Sequence, residues 1–137
     1  MAKTIRLDIV TPERMVYSED VNMVIARATD GDLGILPGHI PLIAGLVIWP
    51  LRILKDEGEL QISIAGGFIE VQPTKVTILA SSAELPEEID IDRAMAARER
   101  AEKLLAQKEG VDTARAQAAL QRAIMRLRVA ERDHHKE

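Results

Sequence analysis

Cysteine is absent from the sequence, and with it disulfides, thiol chemistry and any cysteine-ligated zinc. That lack fits a reducing compartment. Aromatic residues are almost missing too. One Trp, one Tyr and one Phe provide no platform on which the bases of a single strand could stack, so nucleic acid is not an expected partner. No apolar run approaches the roughly 18–20 residues of a membrane-spanning helix. The opening MAKTIRLDIV has neither the apolar stretch of a secretory signal nor the Arg/Ser-rich character of a transit peptide. The run GDLGILPGH lacks the lysine and Ser/Thr of a Walker phosphate loop. No Ser/His/Asp set and no carboxylate pair stands out as catalytic, so the expectation is a non-catalytic protein. His134 and His135 adjoin only at the tail, where metal binding is not expected.

What is present is an acidic body ending in a basic arm. The 137 residues, 47% hydrophobic and 29% charged, suit one ordinary domain or a small domain with an appendage. The net charge is −4. Residues 1–86 carry seven Lys/Arg against eleven Asp/Glu, whereas residues 87–137 carry eleven of each. Within the second part, residues 113–132 hold five arginines and one glutamate. An acidic protein surface or a phosphate ligand is the partner such an arm suits.

The two parts differ in hydrophobic period. TIRLDIV alternates, with Ile5, Leu7 and Ile9 on one face and Arg6 and Asp8 on the other. The same alternation recurs at Val21, Met23 and Ile25, and around Leu60 and Val76. Turn signals (DGDLG, LPGH, DEGE, GG and QPTK) separate the runs. This pattern predicts a β-sandwich or flattened barrel of roughly 85 residues. After Pro86 there is no further proline, and glycine occurs once, at Gly110. Ala116, Leu120, Ala123, Leu127 and Ala130 recur at helical spacing, matched by Ala94, Ala97, Ala101 and Leu104. Two helices joined by a short loop are predicted to form an antiparallel hairpin with a thin alanine seam.

Arginines border that seam. Positions seven apart on a helix fall nearly on one line, so Arg93 and Arg100 share a stripe, as do Arg115, Arg122 and Arg126. Folding about Gly110 would set Arg93 level with Arg126 and Arg100 with Arg122. Asp90 is placed to cap the first helix. Two readings stay open on spacing alone. The acids Glu84, Glu87, Glu88, Asp90 and Asp92 could pair with the arginines on a solvated surface. Alternatively, the guanidinium forks could hold a polyphosphate, which would also explain an arginine in a helix's first turn, where a cation is otherwise disfavoured.

The stretches DGDLGILPGHIPL, SIAGGFIEVQPTKVTILA, IDIDRA and QRAIMRLRVAE together resemble the epsilon-subunit family of the F-type ATP synthase, and the resemblance extends over the whole chain. It implies a sandwich of about ten strands over residues 1–86, binding the gamma subunit and the ring of c-subunits. Residues 87–137 would be a regulatory helical hairpin. The implied protein is a central-stalk rotor component that couples proton transport to ATP synthesis, peripheral on the cytoplasmic side of a bacterial cell membrane. Its hairpin, when extended along gamma towards the alpha and beta subunits, inhibits ATP hydrolysis. ATP, as a regulatory ligand whose Mg²⁺ requirement stays open, holds the hairpin folded. The family's I/L-D-x-x-R-A motif is filled by Ile89, Asp90, Arg93 and Ala94, and Glu84, Arg100, Arg122 and Arg126 fall at the other positions expected to complete the nucleotide site. Asp32 and His39 fall in loops that the resemblance turns towards the c-ring; as residues alone they read as turn residues. Arg115, Arg122, Arg126 and Arg128 would form the inhibitory basic arm. Two rival classes are a free-standing ATP-sensing module and an adaptor whose basic helical arm needs no nucleotide.

Overall fold

A computed structural model describes residues 3–107 and 109–135, with the side chain of His135 excepted. The chain divides into two compact units, Met1–Leu85 and Pro86–Glu137. In the first unit the described residues form eight strands: β1 (Ile5–Val10), β2 (Met15–Val21), β3 (Met23–Ala28), β4 (Gly31–Ile35), β5 (Leu42–Lys55), β6 (Gly58–Val71), β7 (Lys75–Ala80) and β8 (Ala83–Glu84). They hydrogen-bond in the order β2-β1-β7-β6-β5-β3-β4, with β8 on β6. Only the β1–β7 pairing is parallel.

The count of eight corrects the expected ten. LIAGLVIWPLRILK and GELQISIAGGFIEV each run on as one 14-residue strand. They pair from Leu42↔Val71 to Lys55↔Gly58. Burial shows how each serves both sides of the sandwich without breaking. On β6 the inward residues are Ile62 and Ile64, then Ile69 and Val71; on β5 they are Leu46, then Leu51 and Ile53. Side chains alternate along a strand, so this jump from even to odd numbers means that both strands swap their inward face. The swap on β6 falls at Gly66 and Gly67, both at positive φ. Gly67 is irreplaceable on space as well, since a Cβ there would lie 2.1 Å from the Leu79 carbonyl oxygen. The core enclosed is aliphatic, led by Ile5, Leu7, Ile9, Ile35, Ile53, Ile62, Ile69 and Ile78.

The second unit opens with a 3-10 turn at Pro86–Glu88, followed by α1 (Ile91–Ala106) and α2 (Thr113–His135). Ala94 and Ala101 are buried on α1, and Ala116, Ala123 and Ala130 on α2. All are seven or a multiple of seven apart within their helix, which is the period of a narrow packing seam. Leu104 departs from the expected stripe: it is 43% exposed, while Leu105 is half-buried. Leu105, four residues on from Ala101, takes the inward place in the last turn. Ile89 packs with Val129, Ala130 and Ile91. Ile91, Met95 and Arg98 share a cavity of about 340 Å³ with Leu127, Ala130, Glu131 and His134, so the first turns of α1 lie beside the last turns of α2.

Candidate functional site

Asp90 caps α1 by accepting the Arg93 backbone N–H at 3.1 Å, while the Ala94 N–H donates to the Asp90 carbonyl at 3.0 Å. The same construction opens α2. Asp112 accepts the Arg115 N–H at 3.1 Å, and the Ala116 N–H donates to the Asp112 carbonyl at 3.0 Å. The pattern Asp-x-x-Arg-Ala therefore occurs twice, at 90–94 and at 112–116. Sequence reasoning noted only the first, although the second is legible by the same rule.

Four arginines share one local geometry. Arg93, Arg100, Arg115 and Arg122 each stand immediately before a buried alanine: Ala94, Ala101, Ala116 and Ala123. One residue is about 100° of helical turn, so each side chain leaves its helix at the flank of the seam. Among the described residues, none of these four guanidiniums makes an ion pair or a side-chain hydrogen bond. Arg98 does, pairing with Glu102 at 3.9 Å. Arg126 is half-buried beside Leu127, and Arg126, Arg128 and Glu84 each have interactions of their own. Arg93 and Arg100 are about 10 Å apart along the axis, near the screening length in physiological salt, so an unliganded helix tolerates both. Ile89 is buried beneath the cap, and Glu84 lies in β8 of the first unit.

A second cluster lies at one rim of the sandwich. Asp32, on β4, is directly opposite Arg27 on β3. Arg27 Nε donates to Asp32 Oδ1 at 2.8 Å and NH2 donates to Oδ2 at 3.5 Å. The guanidinium lies 3.8 Å from the centroid of the Trp49 ring. Hydrogen bonding from Arg27 holds the Asp32 carboxyl below its ordinary range. His39 is held elsewhere, its Nδ1 lying 2.7 Å from the Ile40 carbonyl oxygen. The Gly38 N–H ties the same loop to the Pro73 carbonyl at 2.8 Å. Ile40 is 74% exposed.

The third feature was invisible in the sequence. Gly45, Phe68, Leu79, Val10 and Met15 stand in one cross-strand row over β5, β6, β7, β1 and β2. Phe68, Leu79 and Met15 are all more than half exposed, and Ile43, two residues along from Gly45, is more exposed still. A contiguous exposed apolar row of this kind marks a binding face. Beside it, Asp8 accepts from Ser18 Oγ at 2.6 Å and pairs with Lys75 at 3.2 Å and Arg6 at 3.5 Å.

Among the described residues no helix is long and apolar enough to cross a membrane. Residues 4–86 match the family described as the ATP synthase delta/epsilon chain beta-sandwich domain, and residues 87–131 match its long alpha-helix domain. The chain is 51% identical to the ATP synthase epsilon chain of Bacillus velezensis over 129 residues, covering 93% of this chain and 98% of that one. It is 52% identical to the epsilon chain of Nitratidesulfovibrio vulgaris over 130 residues, covering 94% and 97%. A chain in the structure of the Euglena gracilis mitochondrial ATP synthase, solved as OSCP/F1/c-ring, superposes with a TM-score of 0.80 at 25% identity, covering 96% of this chain and 83% of that one. An aliphatic sandwich followed by two alanine-seamed helices, with both family domains matched in order, places this chain in the ATP synthase delta/epsilon chain family, among its bacterial epsilon chains.

Proposed function

We propose that this chain is a non-catalytic regulatory subunit of a bacterial F-type ATP synthase, carried on the central stalk. There it turns with the gamma subunit against the c-ring and lies peripheral on the cytoplasmic side of the membrane. The apolar row through Phe68 and Leu79 offers gamma a face of the chemistry that helical partners bury. The rim at Asp32 and the separate loop of His39 offer the c-ring polar groups. The proposed domain roles follow, with the sandwich as the docking part and residues 87–137 as the regulatory part.

The observation that carries the regulatory reading is the set of four guanidiniums without an ion pair among the described residues, each one residue before a seam alanine. In an antiparallel hairpin a twofold axis normal to the plane of the helices relates the two seams, so side chains preceding seam residues on either helix emerge on the same face. Arg93, Arg100 and Arg122 then converge on one surface with Arg126, which precedes the half-buried Leu127. Asp90, Ile89 and Ala94 fix the backbone at its edge. Such a face suits the phosphates of ATP, since guanidinium forks meet phosphate oxygens in pairs. Because arginines from both helices take part, ATP favours the closed hairpin through its differential affinity for it. At a hundredfold excess over the dissociation constant this bias is about 2.7 kcal/mol. In the extended state Arg115, Arg122, Arg126 and Arg128 form a basic arm that acidic surfaces of the beta subunits can hold, and this blocks hydrolysis.

Calorimetric titration of the isolated full chain with ATP, followed by a measure of hairpin compactness, tests the reading. Saturable binding with compaction is expected. Equal heats for the native chain and an Arg93→Ala/Arg122→Ala double variant would remove the nucleotide site.

A further inference from the structure

Between the pairs Ile25↔Arg52 and Ala28↔Leu46, strand β3 has two residues, Ala26 and Arg27, while β5 has five, residues 47–51. The excess includes Trp49 and Pro50 and forms a wide bulge, the kind of irregularity that redirects a strand at a functional edge. Arg27 fills it. Its guanidinium plane covers the indole at 3.8 Å, and beneath the stack a space of only about 10 Å³ remains. The edge of that same guanidinium donates to both oxygens of Asp32. A planar fork can stack on a ring and chelate a carboxylate at once, which an ammonium cannot do.

We infer that Arg27 is a positioning residue for c-ring docking, clamping Asp32 against the Trp49 bulge so that the rim meets its partner with a preset carboxylate. The inference rests on the rim reading given above. A carboxylate fixed in advance loses no rotamer freedom on contact, and pre-organisation of this kind raises affinity without adding contacts. Asp32 is then not a free acid seeking a basic partner. It presents its remaining acceptor positions, with Arg27 supplying the neighbouring donors, and this combination suits the polar groups of a short loop.

The experiment measures binding of the full chain to a gamma–c-ring rotor prepared without it, alongside two readouts on the free chain: Trp49 emission and the titration of Asp32 by NMR. Asp32→Asn should weaken docking. Arg27→Ala should weaken it comparably, about fivefold, and the double variant should be no weaker than either single one. Arg27→Lys should not restore the loss, whereas Trp49→Phe, which keeps an aromatic face, should retain most of the affinity. In free Arg27→Ala the Trp49 emission should change and the Asp32 titration should move up, changes that a general loss of stability would not produce. Weakened docking of Asp32→Asn with native docking of Arg27→Ala would overturn the clamp and leave the rim reading standing. Native docking of both would overturn the rim reading. If Arg27→Ala does not fold, Arg27→Lys carries the test, and native docking by it together with an unmoved Asp32 titration overturns the clamp.

Discussion

The Asp90 carboxylate accepts the Arg93 amide at 3.1 Å, so the residue that starts α1 also fixes the backbone from which Arg93, the first arginine of the proposed nucleotide face, departs. Removing the cap should act on helix and site together. Asp90→Ala is expected to destabilise the start of α1 by about 1 kcal/mol, whereas Asp90→Asn, a comparable cap, should cost far less. Hydrogen exchange at the Arg93 and Ala94 amides measures this directly. Equal exchange in both variants would separate the cap from the stability of the helix.

Within the arginine set, replacement should be graded by geometry as well as by charge. Arg93→Ala removes a charge-assisted donor worth roughly 1.5–3 kcal/mol, so ATP affinity should fall about ten- to a hundredfold. Arg93→Lys should recover only part of that loss, because an ammonium cannot chelate two phosphate oxygens. Full recovery by lysine in calorimetry would mean that the site reads charge alone.

The row through Phe68 predicts a hot spot. Phe68→Ala should weaken binding to gamma about tenfold or more, while the same change at exposed Ile40 should leave gamma binding near native, since large interface losses concentrate in a few central apolar anchors. Surface plasmon resonance with immobilised gamma distinguishes the two. Equal effects at both positions would move the gamma face away from the row.

Acid should destabilise the sandwich through Asp8. The Ser18 hydroxyl first, and then Lys75 and Arg6, hold its carboxyl below the ordinary value of 3.8, against the opposing pull of burial. A carboxyl depressed in the folded state contributes stability that is complete above its unfolded value and is lost as pH falls through the folded one. The native chain should therefore lose stability progressively below its ordinary value. Asp8→Asn should be less stable at neutral pH and less sensitive to acid over the same window. Urea melts from neutral pH down to about 2 give the comparison, and parallel pH profiles for the two proteins would exclude the role.

Inhibition of ATP hydrolysis should depend on the arm as a unit. Replacing Arg115, Arg122, Arg126 and Arg128 together by alanine should relieve inhibition in the reconstituted complex. The difference from the native chain should be largest at low salt, where exposed charges are least screened. Asp90→Ala with Arg93→Ala should do the reverse, loosening the ATP-held state and deepening inhibition. ATPase rates across a salt series measure both.

How much of this was readable in advance follows from how local each feature is. Alternation located the inward faces of β1 and β7 because each keeps one face throughout. It misplaced β3, where Val24, Ala26 and Ala28 are buried rather than Met23 and Ile25, and it could not follow β5 and β6, whose inward residues change parity near Gly66, Gly67 and Pro50; the count of ten came from the family resemblance. The Arg-Ala steps were accessible because helical geometry is fixed by spacing alone. The Phe68 row and the Arg27–Trp49 stack were not. Each depends on registers between strands far apart in the chain, and a three-residue excess in β5 decides which side chain covers which ring.

The alanines of the helical seam also bear on time. A side chain of one carbon makes shallow ridges and grooves, so two such surfaces part or slide without any residue being drawn out of a deep socket. Leucines interlocked across the same seam would have to leave their holes together before the helices could separate. In the proposed switch, Ala94, Ala101, Ala116, Ala123 and Ala130 would therefore lower the barrier between closed and open hairpins as well as their difference in energy. Under the proposed switch the helices would exchange quickly, and the lifetime of the closed state would be set by whatever occupies the arginine face.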